Sequence, residues 1–415
     1  MTFQPPSRSL TPRDYQFIAL VVVLFLVVAS ALVYANLTLP RGGGDFLVHW
    51  AGARAFLFEQ ADPYSGFVPA RVQELVYGGG AGDKPYILET PFHILMLYFP
   101  LSLLPDPQFA RAIFTLILQL ALFALALFSL RLTEWEAPRW FIVLFFFFCI
   151  FNVYAIKAIL AASPVLLLGA IYAGILLALR AEQDELAGAL MAVSVYYWEV
   201  GLPFLLLVAW RAYKEGRIRV LAGFFMLSFV LLVISFFWYS DWIIPYLRAG
   251  MNNLRADFGF SMHTVLAQLL PSYGGILSWV FIGILVIVLG YEWNTALEAD
   301  DRRFYWACCI TLAVTPLLGF RTMTEHLAVL VIPLAYLFSI LRDRWHRIGN
   351  VLVFFLLTLL FLLPWAAYFF RFGGDSTPAL VFLFFPLFTV IGLYWMRWWA
   401  LRPPRTWADL VNRQS

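Results

Sequence analysis

Cysteine, histidine and charge are all scarce in this chain, and each shortage excludes something. Three cysteines and five histidines in 415 residues leave little from which to build a disulfide framework or a metal centre. Cys149 sits inside an apolar run, and Cys308 and Cys309 are neighbours in another. No Cys-x-x-Cys or Cys/His spacing suits zinc, so all three read as buried, inert thiols. Charged residues make up only 13% of the chain, about half the share in soluble domains, while hydrophobic residues reach 62%. The basic residues lie between hydrophobic runs and form no polar patch, which excludes nucleic acid as a partner. No internal repeat is visible, and no pair of broken helices recurs in two halves, which counts against an inverted-repeat transporter. There is no Asp-x-Asp motif either: Asp45 has no acidic neighbour in sequence closer than Glu59 and Asp62.

What the chain has in abundance is long apolar runs. A bilayer core of about 30 Å needs roughly 20 apolar residues per helix, and such runs recur along the whole length. The fold class is therefore an all-α polytopic membrane protein, with residues 1–415 forming a single integral membrane domain. The first run follows Arg8 and Arg13 and continues past Ala29-Ser30-Ala31, which favours an uncleaved anchor over a signal peptide. Arginine and lysine collect at 211–219, 302–303, 342–347 and 397–405. All of these can lie in the cytoplasm if the N-terminus does too. Spans are then predicted near 15–37, 108–131, 140–157, 164–180, 220–239, 273–290, 304–320, 326–341, 350–370 and 378–398.

Two segments depart from ordinary spans. Residues 86–104 are broken by Pro91 and Pro100, and are predicted to form a re-entrant hairpin on the external face. Residues 187–211 are interrupted around Trp198-Glu199 and Pro203, which predicts two short helices that rise and return. The total is about twelve helical passes with both termini inside. The external side then holds a long first loop, residues 38–107, and a second at 240–272. Ala51 to Phe58 and Pro69 to Tyr77 are predicted to be amphipathic helices lying on the interface. Short loops and a compact N-terminus point to a bacterial plasma (inner) membrane.

The first external loop gathers most of the chemistry. It carries Gly44-Asp45-Phe46, His49-Trp50-Ala51-Gly52-Ala53, Asp62-Pro63-Tyr64, Thr90-Pro91-Phe92 and Pro100 to Pro105. This series resembles the opening of the GT-C glycosyltransferases, and most closely the polyprenyl-phosphate-mannose-dependent mannosyltransferases of glycosyltransferase family 87. The resemblance continues through Phe260-Ser261-Met262-His263 and Glu325-His326-Leu327, where the family commonly has a histidine opening a helix. It departs at Ala162-Ser163-Pro164, where members often carry Gly-Gln-x-Asn, and near Glu199, where they often carry Lys-Pro.

The resemblance implies a GT-C type fold and transfer of a hexose, mannose in the family, from a polyprenyl-phosphate carrier. The acceptor would be a glycan or glycolipid on the non-cytoplasmic face. Asp45 stands where the family's proposed catalytic base stands. Glycosyl transfer from a lipid phosphate needs one base for the acceptor hydroxyl and cations for the leaving phosphate, and a single carboxylate suffices because phosphate departs as a stabilised anion. A monophosphate donor needs no metal and no further cofactor.

The phosphate-binding candidates are Arg321, His326 and Arg255. His49, four residues after Asp45, would share its helical face and orient the base or bind the acceptor. Glu89, Tyr64 and Lys157 are further substrate-binding candidates, with Lys157 and Glu199 also a possible ion pair near the ends of two spans. Each has a plainer reading: Asp45 as a helix cap, Tyr64 as a turn residue, Lys157 as a snorkelling cation. Two other functions stay open on sequence alone. They are a transporter or flippase of lipid-linked sugar, and a non-catalytic relative that binds polyprenyl phosphate.

Overall fold

A computed structural model describes residues 12–39, 42–78, 82, 84–135, 138–255, 259–372 and 374–401. Among these residues the chain is helical throughout, and its one pair of bridged extended residues is Phe260 with Thr322. After α1 (Pro12–Leu37), residues 38–107 contribute α2 (Gly44–Phe58), α3 (Phe67–Tyr77), α4 (Phe92–Leu95) and α5 (Phe99–Ser102). Then come α6 (Pro107–Thr133), α7 (Arg139–Phe151), α8 (Val153–Ala161), α9 (Val165–Arg180), α10 (Asp184–Ser194) and α11 (Trp198–Lys214). The second half comprises α12 (Ile218–Trp238), α13 (Ile243–Arg255), α14 (Met262–Leu269), α15 (Gly274–Leu297), α16 (Asp301–Val314), α17 (Val331–Phe370) and α18 (Thr377–Leu401).

Among the described residues six helical stretches are long and apolar enough to cross a membrane, two of them along α17, and a seventh crossing is formed if α7 and α8 count as one bent span. The shorter α9 and α16, of 16 and 14 residues, reach only about 24 and 21 Å at 1.5 Å per residue. Burial sorts the long helices. The stretch Thr324–Trp345, a 3-10 turn at Thr324–Leu330 that runs into the first half of α17, is 94% buried and forms the centre of the bundle. The α12, α15 and Ile348–Phe370 stretches are about one-fifth buried and present Phe225, Phe229, Ile276, Ile287 and Phe355 outward, as a lipid-facing surface requires.

Three local features differ from the sequence expectation. The predicted span over 140–157 is bent by 46° between α7 and α8. Asn152 makes the break stable. Its amide nitrogen donates to the Phe148 and Cys149 carbonyls at 2.9 Å, and its oxygen accepts from the Tyr154 and Ala155 amides at 3.0 and 2.9 Å. One side chain thereby satisfies backbone groups that two helix ends would otherwise leave orphaned. The segment at 86–104 consists of an extended leg through Pro91 followed by a helical leg at 92–102. Finally, α2 begins at Gly44, seven residues before the predicted interfacial helix. It is no surface helix: eleven of its fifteen residues are buried, because Ala51, Gly52, Ala53 and Ala55 let neighbours close in on every side.

α10 and α12 pack backbone to backbone. A Cβ on Gly188 would lie 2.0 Å from the Val220 carbonyl oxygen, and one on Gly223 would lie 2.4 Å from that of Glu185. Gly188→Ala is therefore expected to lower stability by about 1–3 kcal/mol through forced separation of the pair. Gly283→Ala, with nothing within 4 Å, should leave the melting temperature in detergent unchanged. Equal melting temperatures for the two variants would contradict this packing.

Candidate active site

The start of α2 is fixed by two close approaches. Gly43 adopts a left-handed conformation with φ 77°, and a Cβ there would collide with the Arg111 side chain at 2.4 Å. Arg111, from α6, reaches under this turn to the carbonyls of Gly42, Asn36 and Leu39 at 3.3, 3.4 and 3.3 Å. Gly44 leaves room for the Tyr86 ring. Asp45 follows in the first turn of α2, where the helix dipole favours a negative charge.

Asp45 is 7% exposed, and its Oδ1 accepts from the Lys84 ammonium at 2.5 Å. Burial pushes the carboxyl pKa up, but the Lys84 charge and hydrogen bond outweigh it, and Asp45 stays below the ordinary aspartate value. Burial likewise pushes Lys84 down, and the charges of Asp45 and Glu325 outweigh that, so Lys84 lies above the ordinary lysine value. Both groups are therefore ionised at neutral pH. Oδ2 of Asp45 is buried and forms no well-aligned hydrogen bond among the described residues, with the Ser163 hydroxyl close enough to the carboxyl to help hold its pKa down.

His49 braces this arrangement. Its Nδ1 donates to the Asp45 carbonyl at 2.6 Å, which leaves Nε2 to accept from the Thr90 hydroxyl, also at 2.6 Å. Burial pushes the imidazole down to about 4, so it is neutral, and it stacks on Tyr98 at 4.4 Å between centroids. The ring joins α2 to the extended leg at 85–91. Tyr64 serves the same leg from outside: its hydroxyl donates to the Thr90 carbonyl at 3.0 Å, and its amide donates to the Asp62 side chain.

Asp45, His49, Lys84 and Glu89 line a cavity of about 110 Å³ with Tyr197, Glu199, Arg321 and His326. Elements far apart in sequence meet there. The Phe260–Thr322 bridge, with both amide–carbonyl bonds at 2.7 Å, holds the 321–323 segment in place. His326 accepts from the Met323 amide through Nδ1 at 3.3 Å, which directs Nε2 to the Tyr197 hydroxyl at 3.3 Å. A second cavity of about 530 Å³ shares Glu89, Trp198, Glu199 and Arg321 with the first, and adds Tyr246, Phe320 and Ser261. Burial, reinforced by the neighbouring Glu199 charge, pushes Glu89 up to about 7, against the pull of Arg321 and Lys84.

Of the residues expected from sequence, Asp45, His49, Glu89, Arg321 and His326 thus line one cavity. Tyr64 sits behind it as a brace. Lys157 points elsewhere: its ammonium bonds the Tyr368 hydroxyl and lies 4.2 Å from that ring's centroid, so it forms no ion pair with Glu199. Arg255 ends α13, and its side chain lies outside the described residues. Lys84 went unnoticed in the sequence reading. The available signal was its rarity: it is one of three lysines in the chain, and it stands two residues before Tyr86 in the long segment that follows the first apolar run. Among the described residues, no group of three or more His, Cys, Asp or Glu side chains converges as metal ligands do.

No family model, no curated protein and no solved structure matches this chain.

Two outcomes follow from the geometry. Lys84→Met strands a buried carboxylate and is expected to cost about 3–5 kcal/mol, while Lys84→Met with Asp45→Asn recovers most of that loss. Thermal unfolding of the three proteins checks it, and an undiminished single variant would rule out the pair. Glu89 takes up its proton more readily folded than unfolded. Its stabilising contribution is full below about pH 4.5 and lost as pH rises towards about 7. Glu89→Gln should therefore raise the melting temperature relative to wild type more at pH 8 than at pH 5. The opposite trend would contradict the shift.

Proposed function

We propose that this chain is an integral membrane hexosyltransferase of GT-C type, with about twelve helical passes, counting short ones. It takes a hexose, mannose by the family resemblance, from a polyprenyl-phosphate carrier and passes it to a glycan or glycolipid acceptor on the non-cytoplasmic face. The observation that carries the reading is the state of Asp45. One oxygen is held by Lys84 and the other forms no well-aligned hydrogen bond, on a residue lining a cavity that Arg321 also lines. A buried, ionised carboxylate with a vacant oxygen is what proton abstraction from a sugar hydroxyl requires.

In the proposed reaction the acceptor hydroxyl oxygen attacks the anomeric carbon from the face opposite the phosphate. The new C–O bond forms as the anomeric C–O(phosphate) bond breaks, so the configuration inverts. The acceptor proton passes to Oδ2 of Asp45, and the bonding pair leaves with the polyprenyl phosphate. Arg321 meets the charge that develops on that phosphate in a site poor in water, while Lys84 stays on the attacking face and holds the base ionised. The larger adjoining cavity, with Trp198, Tyr246 and Phe320 as stacking surfaces and Glu89 and Glu199 as hydrogen-bond acceptors, suits a carbohydrate. His49 acts through Asp45 by fixing the helix turn that bears it, and His326 orients Tyr197. Because Lys84 keeps Asp45 charged, the base needs no second carboxylate beside it.

The test is transfer of radiolabelled mannose from polyprenyl-phosphate-mannose in membranes containing the protein. Asp45→Asn is expected to reduce transfer about 10²- to 10⁴-fold per folded molecule, with some loss of stability because Lys84 loses its partner. Label carried into a covalent product at full rate by Asp45→Asn would contradict the mechanism. Movement of the donor across a liposome membrane without any product would favour a transporter.

A further inference from the structure

A cavity larger than either of these lies at the other end of the bundle. α11 links the two ends: Glu199 in its first turn lines the site described above, and Arg211 and Glu215 at its last turn line a cavity of about 640 Å³. The separation along the helix is about 18–24 Å at 1.5 Å per residue. The cavity opens where α6, α9 and α11 end, α16 begins and α17 passes through.

Its lining is rich in charge, with five arginines against four carboxylates. Most of that charge is already answered. Arg180 pairs with Glu134, and Arg217 with Asp184. Arg211 is given over to holding the fold: its Nη1 donates to the Ala296, Leu297 and Ala299 carbonyls at 2.7, 3.1 and 2.7 Å, and its Nη2 meets Glu215 and, at 3.5 Å, Asp301. Arg302 and Arg342 are different. They face the same cavity and make no ion pair among the described residues.

Two tyrosines stand with them. Tyr305 and Tyr336 meet edge to face at 4.8 Å; both hydroxyls are buried and form no well-aligned hydrogen bond, with the Arg302 guanidinium beside that of Tyr336 and the Cys309 thiol beside that of Tyr305, so each O–H is left to donate. Tyr336 is only 6% exposed, so an unmatched hydroxyl there is costly unless something meets it. The remaining wall, Leu132, Leu176, Leu179 and Val208, is apolar. Two guanidiniums lacking carboxylates, two idle hydroxyl donors and a leucine wall match a phosphate group attached to an apolar body.

We propose that this cavity is a second ligand site, which binds a phosphate group through Arg302, Arg342 and the hydroxyls of Tyr305 and Tyr336. The phosphate is either a lipid headgroup, its chain on the leucine wall, or a free phosphate. The site lies among the arginine clusters of 211–219, 302–303 and 342–347. A negative headgroup at the membrane surface would be drawn there by the same charges. The proposal is independent of the reaction at Asp45, because none of its residues lines that cavity.

Binding to the full-length protein in detergent tests it, with three probes: dioctanoyl phosphatidic acid, inorganic phosphate and dioctanoylglycerol. Wild type should retain phosphatidic acid and not dioctanoylglycerol. Arg302→Gln with Arg342→Gln should weaken binding about tenfold or more, while Arg321→Gln, at the other cavity, should leave it unchanged. Phosphatidic acid bound far more tightly than inorganic phosphate assigns the site to a lipid headgroup, and equal binding assigns it to free phosphate. Tyr336→Phe keeps the ring and its packing, so it carries the test if the double variant fails to fold, with about fivefold weaker binding expected. The proposal is overturned if wild type does not distinguish phosphatidic acid from dioctanoylglycerol and ignores phosphate. It is equally overturned if the double variant, or Tyr336→Phe in its stead, binds as wild type does, or if Arg321→Gln abolishes binding.

Discussion

A charge cannot be buried without a partner, and one end of this protein is organised around a pair that meets this constraint. Asp45 and Lys84 come from either side of a long loop and meet at 2.5 Å in surroundings that would neutralise either one alone. The residues around them read as supports for that meeting. Arg111 shapes the turn before α2, His49 ties α2 to the extended leg, and Tyr64 holds the leg from behind. The pair does not use up the carboxylate. One oxygen is left without a well-aligned hydrogen bond, so the interaction that stabilises the site also leaves it reactive.

The bundle supplies two chemically different ends on one frame. The buried opening of α17 forms the centre, and α11 runs from one cavity to the other. At the Asp45 end carboxylates, aromatics and Arg321 mix, which suits a sugar and its phosphate. At the far end arginines dominate the sequence clusters, and the cavity is lined by guanidiniums and tyrosines over leucines. Between them polar pairs act as glue in the apolar zone. Arg397 grips Glu292 through two bonds of 2.9 and 3.0 Å, linking α18 to α15.

Class and site were legible in the sequence to different depths. Apolar runs reveal helices because the bilayer demands them, so the helical membrane architecture could be read directly. The clustering of Asp45, His49, Glu89, Arg321 and His326 could be read because ionisable residues near a membrane are expensive and rarely idle. Lys84 escaped notice because nothing local marks it: its partner is thirty-nine residues away and its role exists only once the loop is folded. Lys157 shows the converse: a lysine at a span end looks functional, but its contact with Tyr368, over two hundred residues on, is visible only in the folded chain. The break at Asn152 was hidden because a single asparagine in an apolar run announces a kink only when its four bonds are seen. The burial of α2 was hidden too, since its small residues read equally as a surface helix or a tightly packed one.

The most direct measurement is a structure of the protein with a phosphonate analogue of a polyprenyl-phospho-hexose, in which the bond to the sugar cannot break. The anomeric carbon is expected to face the Oδ2 side of Asp45, with the phosphonate on the far side of the sugar against Arg321. A sugar bound with its anomeric carbon turned away from Asp45, or a donor seated only in the distant arginine-lined cavity, would contradict the role assigned to the Asp45–Lys84 pair.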